Sequence, residues 1–241
     1  YMYWMGRIFG KKSARYLKIL PDTSVWLDVP VDSNRLFSRI YLRHPAYNYH
    51  PVIGLTYEQA QLYLLWLNDR VYELNLLRAD LIEGDGDQDS VNYFSIDRYL
   101  SGNYKNHTPD KKIPVPHNRL PSPEDWEKIA FADSVENNYR CGNDKERLLQ
   151  YNSREFYNLR LENNYDIHSE MPTIEEGGFE NCLGLTHFYG NIAEMTSVKG
   201  ISKGGSWYHS RADFFISKNI AYTEPAAWLG FRAVCTFELP E

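Results

Sequence analysis

The stretch KGGSWYHSRADFF, residues 203–215, brings a serine, a histidine and an aspartate close together in sequence. Such a trio raises acyl-transfer chemistry, with Ser206 as nucleophile, His209 as base and Asp213 as the orienting carboxylate. The chain has no GxSxG elbow to present the serine, and a chain of this length supplies such a trio by chance. GDGDQDS, residues 84–90, sets Asp85, Asp87 and Asp89 at the alternating positions of a calcium loop. The sixth position is Ser90 rather than glycine and the twelfth is Ile96 rather than glutamate, so the segment reads as a solvated acidic turn. The seven histidines include His44 and His50, but there is no HExxH and no pair four apart on a predicted helix. Cys141, Cys182 and Cys235 form no CxxC pair and read as buried thiols acting as small hydrophobes rather than as a zinc site. Gly204 and Gly205 precede no helix start, which removes a phosphate-binding loop.

Few regular elements are available to position these groups. TYEQAQLYLLWLNDRVYELNLL, residues 56–77, predicts one long amphipathic helix, with Thr56 as cap, Gln59 completing a capping box, and Ala60, Leu64, Leu67, Val71 and Leu74 on the buried face. SPEDW predicts a shorter helix, with Ser122 as cap and Pro123 at the first helical position. Trp126, Ile129 and Ala130 fall on one face, and the helix ends near Asp133. ISKGGSW (201–207) and LGFRAVC (229–235) predict glycine-interrupted strands, and PVIGL (51–55) is a third candidate. Between them run long polar, aromatic-rich segments such as residues 152–179, without periodicity, which count against ordinary architectures.

Composition narrows the partners. At 241 residues the chain suffices for a single domain over 1–241. Lys+Arg of 26 against Asp+Glu of 32 gives a net charge of −6 without a basic stripe, so nucleic acid is set aside. No apolar run reaches the length of a membrane span. The start at Tyr1 in YMYWMGRIFG leads us to expect a longer precursor.

Four segments taken in order carry more information than any one. PVIGLTYEQAQLYLLWL, RLPSPEDWEKIA, GLTHFYGNIAEM with KGGSW, and LGFRAV resemble the motifs of the formylglycine-generating enzyme or sulfatase-modifying-factor family over nearly the whole chain. The resemblance implies an α+β fold, a C-type-lectin-like variant with little regular secondary structure. It also implies framework roles for Arg119, Trp126, Asn191, Gly204, Gly205, Trp207 and Arg232. Of these, Arg232 is an always-charged group in a core strand and must be paired or bonded to carbonyls. The family's calcium loop resembles GNxxE here, giving Glu194, Gly190 and Ile192 as candidate ligands, with His187 where the family often has asparagine.

The catalytic part departs from the pattern. Family enzymes carry two cysteines after GGSW that bind the copper ion activating oxygen, and the aligned positions here are His209 and Phe214. Soft thiolates select Cu(I), and neither residue reproduces a bis-thiolate site, so no copper is expected and calcium is the only candidate cofactor. YMYWMGRIFG, LPDTSVW, YLRHPAYNYHPVIGL, FSIDRYL and KGISKGGSW further resemble the gliding-motility lipoproteins of the GldJ and GldK type, associated with type IX secretion. That resemblance implies a non-catalytic, pseudoenzyme-like scaffold at the outer membrane, held by a lipid anchor outside this sequence, with other envelope proteins as partners. Two rival functions are an oxidase using His209 and another histidine as ligands, and a glycan-binding module stacking sugars on tyrosines; fold analogy alone is weak warrant for the second.

Overall fold

Ser122 and Asp125 close the start of a helix reciprocally: the Asp125 amide donates to Ser122 Oγ (3.0 Å) and the Ser122 amide to Asp125 Oδ2 (3.3 Å). These contacts come from a computed structural model, which describes residues 1–27, 29, 35–105, 107–130, 185, 187, 188, 190–210, 213 and 215–240. In chain order the described helices are α1 (Met2–Phe9), α2 (Ala14–Lys18), α3 (Phe37–Ile40), α4 (Tyr57–Arg78), α5 (Ile96–Leu100) and α6 (Pro123–Ala130). The strands are β1 (Val115–Arg119), β2 (Ala193–Met195), β3 (Ile201–Lys203), β4 (Ile220–Ala221), β5 (Leu229–Phe231) and β6 (Val234–Glu238). Helix and sheet are mixed, and the described residues fall into two compact units. None of the described helices is long and apolar enough to cross a membrane.

The first unit comprises Tyr1–Leu20, Tyr57–Arg119 and Ala233–Glu241. Helix α4 runs through it, and its buried positions are Ala60, Leu64, Tyr72 and Leu76. The expected face is corrected here, because Leu74 is 44% exposed. Steps of four from Ala60 pass through Asn68, a polar residue that hides the true stripe from a hydrophobic count. Asn68 belongs there chemically: its Oδ1 accepts from the Asn118 backbone amide (2.6 Å) and from Asn118 Nδ2 (2.8 Å), covering one edge of β1. The other edge of β1 pairs antiparallel with β6, Val115 facing Glu238 and Arg119 facing Val234. Arg119 is exposed at the strand's end. Tyr72, Leu76, Ile82, Phe94, Tyr99, Tyr104 and Val115 form the core of this unit.

Asp69, also on α4, accepts from the Ile96 amide at the start of α5 (2.9 Å). Burial pushes its carboxyl up to about 6, against the lowering effects of that hydrogen bond and of Arg70. A raised folded-state value makes this group's contribution fully present below its unfolded value of 3.8 and lost as the pH rises through 6. Asp69→Asn keeps the accepting oxygen and removes the charge. We expect it to raise the unfolding free energy above pH 7 by roughly 2 kcal/mol after allowing for solvent screening, and to leave it unchanged near pH 3. Urea titrations at the two pH values check this, and equal effects at both would refute it.

The second unit comprises Pro21–Thr56 and Leu120–Arg232. Its sheet has the order β4-β3-β2-β5, with β2 antiparallel to β3 and parallel to β5. Trp26, Phe37, Tyr41, Ile53, Ile192, Trp207 and Ala227 form one buried cluster, with Trp26 and Trp207 stacked at 6.3 Å. Trp126, Ala130, Phe188 and Ile216 form another.

Three strand expectations are corrected in this region. The strand expected over 201–207 stops at Lys203, because Gly204 and Gly205 take φ of +89° and +71°, outside strand geometry. The strand expected over 229–235 divides into β5 and the start of β6, which belong to different sheets. PVIGL forms no strand: Gly54 turns at φ +72°, and its carbonyl accepts from the Asp22 amide at 2.7 Å. The expected end of the SPEDW helix near Asp133 lies outside the described residues, as do Cys141, Cys182 and the segment 152–179.

Candidate functional site

Two loops of the second unit meet edge to edge. The Gly190 amide donates to the Gly204 carbonyl (2.9 Å) and the Trp207 amide to the Asn191 carbonyl (3.0 Å), while β2 and β3 pair Glu194 with Lys203. Gly190 (φ +75°) and Asn191 (φ +57°) are both left-handed, a conformation that glycine and asparagine adopt at lowest cost. A Cβ on Gly204 would sit 2.9 Å from the Phe188 carbonyl oxygen and 3.0 Å from Trp126 Cζ2, so the Trp126 indole packs where only glycine leaves room.

Glu194 stands at the centre of this junction, 5% exposed. Its Oε2 accepts from the Trp126 indole Nε1 (2.7 Å) and from Arg232 Nε (3.0 Å), and its Oε1 from Arg232 Nη2 (2.8 Å). The guanidinium therefore grips the carboxylate bidentately, the strongest geometry for such a pair. Arg232 also lies over the Phe188 ring, 4.3 Å from its centroid. Burial disfavours the arginine's charge, but the Glu194 carboxylate outweighs it and the guanidinium is held above its ordinary value.

His187 lies nearby at φ +62°, and neither ring nitrogen has a partner among the described residues. Burial first, then the Arg232 charge, lower its pKa, so the imidazole is neutral at neutral pH. Among the described residues no group of three His, Cys, Asp or Glu side chains is arranged to hold a metal ion. The candidate calcium ligands Gly190 and Ile192 lie in the loop that leads into β2, which carries Glu194. The carboxylate, however, is already neutralised by Arg232, and a divalent cation on it would stand against a guanidinium at salt-bridge distance. The donor set fits an internal ion pair better than it fits calcium.

A second cluster surrounds the Ser-His-Asp trio. Ser206 Oγ and His209 Nδ1 are 2.6 Å apart, and Ser206 Oγ also accepts from the Tyr208 amide (3.2 Å). Burial lowers the His209 pKa, which favours the neutral ring in this contact. Asp213 does not complete a triad: it accepts from the Ser210 amide (3.1 Å), Ser210 Oγ (2.8 Å) and Lys218 Nζ (2.6 Å). Ser206 itself is fully buried, so among the described residues the pair has neither an orienting carboxylate nor an open nucleophile. The His209 ring meets Trp228 edge-on at 4.6 Å, and Tyr208 stacks near Trp228 at 6.3 Å.

Over residues 18–237 the chain matches the family model of the sulfatase-modifying factor enzyme 1-like domain, also called the FGE-sulfatase domain. The chain belongs to this family. Two solved structures similar to this member of the FGE-sulfatase family are Treponema denticola variable protein 1 and CarF. The first has 18% identity and a TM-score of 0.43, over 80% of this chain and 73% of that one. The second has 18% identity and a TM-score of 0.41, over 82% and 70%. No curated protein matches the sequence.

Residues that sequence reasoning missed stand beside those it named in this FGE-sulfatase domain. Lys203, immediately before the two glycines, is fully buried, with its ammonium bonded to Glu127 and to the Ile216 carbonyl (3.2 Å). Trp207, also buried, donates its indole N–H to the Ala227 carbonyl (3.2 Å). Phe188 had no sequence signal at all; Lys203 had one, a cation opening a segment of core residues. The other acidic and histidine candidates are local turn-formers. Asp85 accepts from the Asp87 amide and pairs with Lys105 (2.8 Å), Asp89 accepts from the Val91 and Asn92 amides, and His44 accepts from the Ala46 amide. His50 packs against the Tyr41 and Tyr47 rings.

Proposed function

We propose that this FGE-sulfatase domain is a non-catalytic scaffold within a cell-envelope lipoprotein of the GldJ and GldK type. It packs against other proteins of a type IX secretion, gliding-motility or related outer-membrane assembly. A C-type-lectin-like arrangement, with its large share of irregular chain, belongs to the same reading. The observation that carries it is the state of His209. At the first of the two positions where family enzymes place copper-binding thiolates stands an imidazole engaged by a fully buried serine and by the Trp228 ring. The second position, Phe214, lies outside the described residues but offers no metal donor by its type. The only cysteine among the described residues, Cys235, is exposed on β6 in the other unit, which corrects the expectation that it is buried: every position of that strand after Val234 faces solvent. Monovalent copper chemistry requires paired soft ligands.

Affinity recovery from gently solubilised membranes, followed by mass spectrometry, tests the reading. We expect stoichiometric envelope proteins to accompany the chain. A monodisperse monomer in such extracts would count against the scaffold. Conversion of a cysteine-bearing peptide to an aldehyde by the purified protein, or a redox metal at one equivalent, would establish the oxidase instead.

A further inference from the structure

Among the described residues, the ribbon of β1 and β6 has one covered edge and one open edge. Pro116 has no amide hydrogen and faces Phe237, and the Asn118 amide, facing Cys235, points to Asn68. Both pairs are therefore the non-bonded kind of an antiparallel ladder, which turns the amides and carbonyls of Cys235 and Phe237 away from β1. Among the described residues these outward groups have no partner. The strand has neither lysine nor proline within Val234–Glu238 to protect an open edge, and Cys235, Phe237 (55% exposed) and Leu239 (65% exposed) share its exposed apolar face.

We propose that β6 is a self-association edge, pairing antiparallel with β6 of a second copy of this chain. With the two-fold axis through Thr236, Cys235 of each copy faces Phe237 of the other, and the two pairs exchange four main-chain hydrogen bonds. Every outward group of the strand is then used. Glu238, the strand's one charged residue, falls opposite Val234 of the other copy, so like charges do not oppose each other. A register moved outward by one pair would set Glu238 against itself. The union also turns a two-stranded ribbon, marginal alone, into a four-stranded sheet with an apolar face on which Phe237 of each copy faces Cys235 of the other.

Sedimentation of the full chain over a concentration series tests the pairing, together with Phe237→Pro and Cys235→Pro. Each proline removes an outward amide and no bond to β1, so both variants should keep the wild-type circular dichroism and the melting temperature of the wild type at dilutions where it is monomeric, while losing the dimer. In the proposed register the two Cys235 Cα atoms lie about 8 Å apart, too far for a disulfide but within reach of a short bis-maleimide. The wild type should therefore cross-link with the maleimide and resist oxidative dimerisation. A monomer at all concentrations, a dimer that survives both proline variants, or a ready Cys235 disulfide would each overturn the proposal. Loss of envelope partners in Phe237→Pro with the wild type monomeric would assign the edge to a foreign strand. The result stands apart from the scaffold reading, since a catalytic domain can dimerise equally well.

Discussion

Arg232→Met should lower the unfolding free energy by about 3–5 kcal/mol, since among the described residues it leaves the buried Glu194 carboxylate with the Trp126 indole as its one remaining side-chain donor. The loss comes from an uncompensated charge rather than from a missing contact. Two further variants separate the causes. Glu194→Gln keeps the shape and removes the anion, and should cost less than Arg232→Met. The double variant, which has no charge left to bury, should be more stable than the sum of the two single effects predicts. Urea unfolding followed by tryptophan fluorescence reads all three, because Trp126 donates directly to the carboxylate. Strict additivity would show that the two groups do not act as a pair.

Gly54→Ala is the second variant with a large expected effect. A Cβ at this position would lie 2.3 Å from the Asp22 carbonyl oxygen, and the residue sits at φ +72°. The obstacle is backbone, which has no rotamer to move aside, and the Asp22 amide is at the same time bonded to the Gly54 carbonyl. Left-handed strain and overpacking together should cost about 3–5 kcal/mol. Gly84→Ala is the matched control: nothing lies within 4 Å of the added carbon and the backbone needs no left-handed angle, so its melting temperature should stay at the wild-type value. A small effect at Gly54 would mean that the Asp22 turn yields easily.

Local chemistry was readable in the sequence wherever one short stretch decides the structure. Ser122, Pro123 and Asp125 specify the start of α6 among themselves, and the run after Thr56 specifies a long helix. The buried face of that helix was misjudged because Asn68 lies in it for a partner fifty residues away. Strands of two or three residues without a glycine motif beside them carry too few alternations to be seen, which hides β2 and β4. The glycines before Ser206 announced a special backbone without saying that it would end β3. The same limit applied to the site. That Arg232 needs a partner follows from its charge and place in the sequence; that the partner is Glu194, shared with Trp126, follows only from the fold.

The separation of those three residues has a consequence for synthesis. Glu194 joins Trp126 across 68 positions and Arg232 across 38, and β2 finds its parallel neighbour only when β5 exists. A nascent chain leaving the ribosome thus carries an unneutralised glutamate and a sheet missing one side until residue 232 has cleared the exit tunnel. Assembly of the second unit is accordingly a late event, and chaperones holding the growing polypeptide have most of its length to protect before that unit's sheet can close.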